Sequence, residues 1–274
     1  IMQGKSNALY TRFRPNTFDE VIGQENIIKV FLNQLKAGSV SHAYLLCGIR
    51  GTGKTTLARL MAKAVNCLDP QKKPCGACEN CRSITEESHM DVIEIDAASN
   101  NGVDDVRELI DTVAYPPSVA EKKVYIIDEV HMLSQGAFNA LLKTLEEPPS
   151  HVIFIFATTD PNKIPKTILS RCMRFDLRRI TESDLVKRLG FVCESCSREI
   201  EEDALKLIAV NAEGSLRDAL SILEQVMAID EGIITREDVL ESLHAVGDGK
   251  IIEIMDGVLS NDLEKVIVTC NNAF

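Results

Sequence analysis

No stretch of this 274-residue sequence reaches the ~18 consecutive apolar residues of a membrane-crossing helix. Its N-terminal region carries no apolar signal-peptide core. These absences predict a cytoplasmic chain with no membrane partner. Net positive charge is also lacking: 30 Lys and Arg stand against 41 Asp and Glu, a formal charge of -11 at pH 7. Affinity for nucleic acid comes from neutralising phosphates. Tight binding by the isolated chain is therefore excluded, whereas a local basic face, or DNA contact within a larger assembly, is not. No internal repeat or low-complexity segment occurs, so the length predicts about two ordinary globular domains. Cysteine, by contrast, is plentiful. Nine in a reducing compartment point to metal or catalysis before disulfides.

The stretch Gly48-Ile49-Arg50-Gly51-Thr52-Gly53-Lys54-Thr55 reads G-x-x-x-x-G-K-T, the Walker A phosphate loop. A short buried strand is predicted before it, over 42–47, and a helix after it, over 56–65. Gly48, Gly51 and Gly53 let the backbone curl until the N–H groups of the loop, including those of Thr52 and Thr56, point at a phosphate. The helix N-terminus adds its positive dipole end. Lys54 would reach the β- and γ-phosphates of a nucleotide, and the Thr55 hydroxyl would sit on Mg²⁺.

Cys67, Cys75, Cys78 and Cys81 follow with spacing C-x7-C-x2-C-x2-C. Four thiolates with Pro and Gly between them suit a closed, structural Zn²⁺ site that folds a small knuckle over 67–81. An iron–sulfur cluster uses the same four ligands and remains an alternative; a disulfide pair is disfavoured by compartment.

Residues 91–96 alternate polar and apolar and predict a strand; 103–113 have helical spacing. A run of apolar β-formers over 122–127 then ends in Asp128-Glu129, as expected of a buried parallel strand whose C-terminal end meets a ligand. Behind a good phosphate loop this pair reads as Walker B. Asp128 would hold Mg²⁺ and Glu129 would polarise the attacking water. His131 completes a string like a helicase Asp-Glu-x-His box, but no later helicase motif follows, so a packing or supporting role is expected. A helix over 134–147 is capped by Ser134 and stopped by Pro148-Pro149. A buried strand over 151–157 ends in Thr158-Thr159-Asp160, where a hydroxyl could bind water or phosphate. On the residues alone an ordinary strand-to-loop passage is the favoured reading. A short helix carrying an exposed Arg171 leads to a last strand over 173–177.

From Arg179 strands cease, and helices are expected over 182–195, 202–211, 215–229 and 235–243. Arg217 lies in the first turn of one of them, where it opposes the helix dipole. A ligand contact and a salt bridge to Asp218 or Glu213 are equal readings. Cys193 and Cys196 read as packing thiols. At the other end, Arg12 and Arg14 fit a nucleic-acid arm, a base pocket with Tyr10, Val21, Ile22 and Gly23, or a plain strap on the domain.

Walker A, Walker B, the polar strand end, Arg171 after a Pro-bounded helix and Arg217 in a following helical segment together resemble an AAA+ ATPase. Closer still, Leu9-Tyr10, Arg14-Pro15, Ile22-Gly23-Gln24-Glu25, Ser41-His42-Ala43-Tyr44, the four cysteines, Asp128 through Leu133, Phe138 through Pro149 and Ser170-Arg171-Cys172 are similar to bacterial clamp-loader ATPases. The knuckle with the Ser-Arg-Cys triplet is the most specific part. The match is close over about 9–245 and loose beyond; the x7 gap after Cys67 differs by a residue from some relatives. The resemblance implies an α/β AAA+ P-loop ATPase domain with a parallel sheet and inserted zinc knuckle (1–178). A small helical lid (179–243) and the start of a helical collar (244–274) would follow. It implies Thr159 as sensor 1, Arg171 as an arginine finger on a neighbour's ATP and Arg217 as sensor 2. Tyr10, Arg14 and Ile22 would fall in the nucleotide pocket. The implied partners are delta- and delta-prime-type subunits and further copies of the chain in a pentamer, the sliding clamp and primer–template DNA. Two competitors are a non-hydrolysing delta-prime-type scaffold and another AAA+ DNA motor, such as a branch-migration helicase. The intact Walker residues argue against the first, the knuckle and triplet against the second.

Overall fold

The structure, a computed structural model, describes residues 8–229 and 232–243 together with residues 255, 256, 258–260, 263 and 267. The expected collar segment therefore lies almost wholly outside the described residues. Two compact units are present. One is Arg14–Ile180; the other joins residues 8–13 with the described residues from Thr181 onward.

The first unit is built on five parallel strands: β1 (Ala43–Cys47), β2 (Val92–Asp96), β3 (Lys123–Asp128), β4 (Val152–Thr158) and β5 (Met173–Asp176). Their order is β2-β3-β4-β1-β5. β4 thus lies between the Walker A and Walker B strands, with Leu46 beside Ala157 and Ile127 beside Phe156. β1, β3 and β4 are buried on both faces, which is why they read as unbroken apolar runs. β2 is an edge strand, so its polar residues alternate outward.

In the second unit α1 (Leu9–Arg12) precedes α8 (Glu182–Ser195), α9 (Glu202–Asn211), α10 (Leu216–Met227) and α11 (Arg236–Ser242). The first unit carries α2 (Glu25–Lys36), α3 (Lys54–Asn66), α4 (Glu79–Thr85), α5 (Val103–Val113), α6 (Gln135–Glu146) and α7 (Lys166–Leu169). Strand periodicity divides the first unit's core into two layers. Tyr125, Ile127 and Phe154 pack with Leu109 of α5 and Phe138 and Leu141 of α6. Tyr44, Leu46 and Ile126 pack on the opposite face with Phe31 of α2 and Leu57, Leu60 and Met61 of α3.

Within the span 1–178 expected for the first domain, the described residues 8–13 group with the helices. Leu9 donates its N–H to Glu224 of α10 at 3.3 Å, Arg188 donates to the Phe13 carbonyl at 3.0 Å, and Phe13 meets Phe191 edge-on. Capping explains several of the helix starts: the side chains of Ser134, Thr181, Ser215 and Thr235 each accept an N–H of the first turn.

One buried carboxylate holds the loop before β3. Asp91 is 1% exposed and accepts N–H bonds from Ser118, Val119 and Ala120 at 2.8–2.9 Å. Burial raises its pKa, but these donors outweigh burial and bring it below the ordinary carboxylate range. The stability it contributes is therefore full above its unfolded value of about 3.9 and fades as pH falls through the lower native value. Asp91→Asn should cost about 1–3 kcal/mol at neutral pH, with a smaller gap at about pH 3. Urea midpoints at both pH values check this; an equal gap at both would contradict it.

Candidate active site and metal centre

The phosphate loop leaves the C-terminal end of β1 and enters α3 at Lys54. Gly51 and Gly53 adopt φ of +79° and +97°, a region that L side chains avoid. At Gly48 the demand is space: a Cβ there would meet Leu177 and the Thr52 hydroxyl at 3.1 Å. Thr52 is buried and donates to the Ile49 carbonyl at 2.9 Å, which stiffens the loop. Lys54, 6% exposed, donates to the carbonyls of Gly48 and Ile49 at 2.9 and 3.0 Å. Burial lowers the pKa of its ammonium, and the Glu129 and Asp128 carboxylates act to raise it. Thr56 sits in the first turn of α3.

β3 brings Asp128 to the same place. The Thr55 hydroxyl donates to Asp128 Oδ2 at 2.5 Å, and the Glu129 N–H donates to Asp128 Oδ1 at 2.9 Å. Glu129 is left-handed, with φ of 45°. Such a conformation in a non-glycine residue costs on the order of 1–3 kcal/mol and persists where its surroundings enforce it. Here its carboxylate accepts from Thr159 twice, N–H at 3.2 Å and Oγ1 at 2.9 Å. His131 Nδ1 lies 3.3 Å from the same oxygen and 3.0 Å from the hydroxyl of Thr158, which is wholly buried. Thr159, not Thr158, thus touches Glu129, and His131 braces the pair.

Lys54, Thr55, Asp128, Glu129 and Thr159 are brought together; Arg171 is not part of this cluster. It stands just past α7, bonded to the Thr167 carbonyl and ion-paired with Glu146 at 2.5 Å. Arg217 and Tyr10 meet each other in the helical unit, the guanidinium 4.7 Å from the ring centroid. Arg14 and Ile22 belong to the first unit, where Gln24 clips the backbone of Arg178 with both ends of its amide, at 2.9 and 3.2 Å.

The sulfur atoms of Cys67, Cys75, Cys78 and Cys81 all lie within 4.8 Å of one another. A tetrahedral zinc with ~2.3 Å bonds needs sulfurs this close, so the four fit a single ion. Main-chain N–H groups of Cys75, Ala77, Cys78 and Cys81 point at the sulfurs at 3.3–3.5 Å, as thiolates require. Burial raises the Cys78 thiol, but N–H donors from Leu68 and Cys81 outweigh it and bring it to about 7. Burial pushes Cys81 strongly upward instead. Lys63 of α3 is buried near this cluster: burial lowers the pKa of its ammonium, and Cys81 acts to raise it.

Sequence reasoning missed three polar residues: Glu146, which holds Arg171, and Asn66 and Asn80, which join the knuckle to the sheet. Glu146 lies in the stretch Phe138 through Pro149, which gives it no role of its own; Asn66 stands next to Cys67 and Asn80 next to Cys81, and that adjacency is their one signal.

Comparison with known proteins agrees with this geometry. Residues 23–181 match the family model described as DNA polymerase III, delta subunit, and residues 184–232 the clamp loader subunit ATPase lid domain. The chain is 51% identical to the DNA polymerase III subunit tau of Bacillus subtilis over 96% of its own length and 47% of that protein's. It thus spans about half the length of that relative. It is 44% identical to the DNA polymerase III subunit gamma of Buchnera aphidicola subsp. Acyrthosiphon pisum, covering 73% of it. The Thermotoga maritima RuvB Holliday junction branch migration motor superposes with a TM-score of 0.63 at 21% identity, over 90% of this chain and 79% of that one, which shows a shared AAA+ fold. With nearly three quarters of a gamma subunit matched at that identity, the chain belongs to the family of DNA polymerase III tau and gamma subunits.

Proposed function

We propose that the chain is the ATPase motor of the bacterial replicative clamp loader. It couples ATP binding and hydrolysis to loading of the sliding clamp on primed DNA, in the cytoplasm and within the DNA polymerase III holoenzyme. One observation carries the reading: Thr55 and Asp128 are already in contact at 2.5 Å, with Glu129 next in the chain. A scaffold subunit has no need of that pairing.

Lys54 exchanges its carbonyl partners for the β- and γ-phosphates, and the loop N–H groups hold the remaining oxygens. Thr55 and Asp128 are the residues that would hold Mg²⁺, which supplies charge neutralisation on the phosphates. Glu129 takes a proton from water as its oxygen attacks the γ-phosphorus. The bond to the bridging oxygen breaks, leaving ADP and phosphate. Thr159 orients the Glu129 carboxylate and the water. Tyr10, Arg14 and Ile22 contribute to the nucleotide pocket and Arg217, from the lid, to γ-phosphate sensing. Arg171 serves ATP on a neighbouring copy in a pentamer with delta and delta-prime subunits. Cys67, Cys75, Cys78 and Cys81 would hold Zn²⁺, which supplies cross-linking of a knuckle too small to have its own core.

The test is ATP turnover by the assembled complex with and without clamp and primed DNA. Stimulation by both is expected. Turnover indifferent to both would defeat the clamp-loader reading, while leaving an ATPase.

A further inference from the structure

The Walker A helix carries chemistry at both ends. α3 starts with Lys54 and Thr55 and finishes at Asn66, one residue before Cys67. Asn66 is 3% exposed, and its carbonyl accepts from Asn80 Nδ2 at 2.8 Å. Asn80, 7% exposed, lies on α4 between Cys78 and Cys81. The Asn66 side chain is itself clamped onto the main chain of Lys122: Nδ2 donates to its carbonyl and Oδ1 accepts its N–H, both at 2.9 Å. Lys122 immediately precedes β3, whose far end is Asp128.

α3 and β3 are therefore two struts pinned together at both ends. At 13 and 6 residues they are each about 20 Å long, from rises of roughly 1.5 and 3.3 Å per residue. One pin is the Thr55–Asp128 contact in the nucleotide site. The other is the buried amide junction at the knuckle. Midway, Arg59 of α3 binds Glu94 of β2 through two bonds of 2.6 and 2.7 Å and pairs with Glu87, just beyond α4, at 2.6 Å. The helix is thus fastened to the knuckle region at its end and along its side. We propose that Asn66 and Asn80 are positioning residues that couple the four-cysteine centre to the nucleotide site, so that metal in the knuckle fixes the separation of Thr55 and Asp128. A change of about 1 Å at such a pair is enough to matter for phosphate chemistry. The inference rests on the proposal that the loop binds ATP and the cysteines hold zinc.

Coupling of two sites is reciprocal, and this supplies a test on the full-length, zinc-loaded protein. A competing chelator measures zinc retention with and without ATP, and a fluorescent ATP analogue measures nucleotide affinity. ATP should tighten zinc retention about fivefold or more. Asn80→Leu, of similar shape but without the amide, should still bind one zinc per chain. It should bind the analogue about fivefold more weakly, and ATP should no longer change its zinc retention. Zinc retention that is blind to ATP in the parent protein overturns the inference, whether or not the variant folds. So does a variant that melts earlier yet keeps the coupling. A parent protein that binds no nucleotide at all sinks the ATPase proposal instead.

Discussion

Glu129→Gln should leave ATP bound and slow hydrolysis by about 10²–10⁴-fold, the usual contribution of a positioned general base. The reasoning starts at the backbone. Glu129 follows β3 in a left-handed conformation that costs energy, and the carboxylate is what that geometry presents to Thr159 and His131. Glutamine has the same shape and keeps a carbonyl oxygen for the two Thr159 donors, so fold and pocket survive. It lacks the basicity to take a proton from water. Lys54 and Thr55 are untouched, so nucleotide affinity should stay near that of the parent. Single-turnover phosphate release and a nucleotide titration separate the two effects. Undiminished turnover in the variant would remove Glu129 from the chemistry; lost affinity with unchanged chemistry would make it a binding residue.

The features legible in the sequence are those written in neighbouring residues. β1, β3 and β4 are sandwiched between two layers of helices, and burial on both faces leaves continuous apolar runs. β2 has one partner strand, and its alternation betrays the edge. The phosphate loop and the four cysteines are local in this chain: the curled backbone is one loop of eight residues, and the four thiols fall within residues 67–81. The insertion of β4 between β1 and β3 leaves no such trace, because strand order is decided by packing between distant segments. The same holds for the amide junction. Asn66 meets Asn80 fourteen residues away and Lys122 fifty-six residues away, and no periodicity spans such gaps. Tyr10 and Arg217 illustrate a different limit. Each was singled out by its position, but their contact across 207 residues emerges once α1 packs on α10 in the helical unit.

Arg171→Ala should abolish most turnover of the assembled complex and leave the melting temperature of the subunit nearly unchanged. An arginine reaching a neighbour's triphosphate is worth about 10³–10⁵ in rate where it has been measured in related chemistry. Within its own chain Arg171 has little to lose. Its side chain is 30% exposed and its partner Glu146 50% exposed, and an exposed ion pair of this kind contributes about 0–1 kcal/mol. The guanidinium lies against the end of α7, on the Thr167 carbonyl and Glu146, and would leave both to reach a neighbour. A triphosphate offers more charge than one carboxylate, so exchange of partners on assembly is downhill. The planar fork of arginine matters as well as its charge, so Arg171→Lys should rescue little. Complexes mixing two variants give the decisive reading. A chain carrying Glu129→Gln spoils its own site, whereas one carrying Arg171→Ala spoils the site of the next chain. With the Arg171→Ala chain placed so that its finger would face the Glu129→Gln site, both lesions fall on one site and the others keep working. In the reverse arrangement two sites fail. Equal turnover in the two arrangements would place Arg171 outside the neighbour's site.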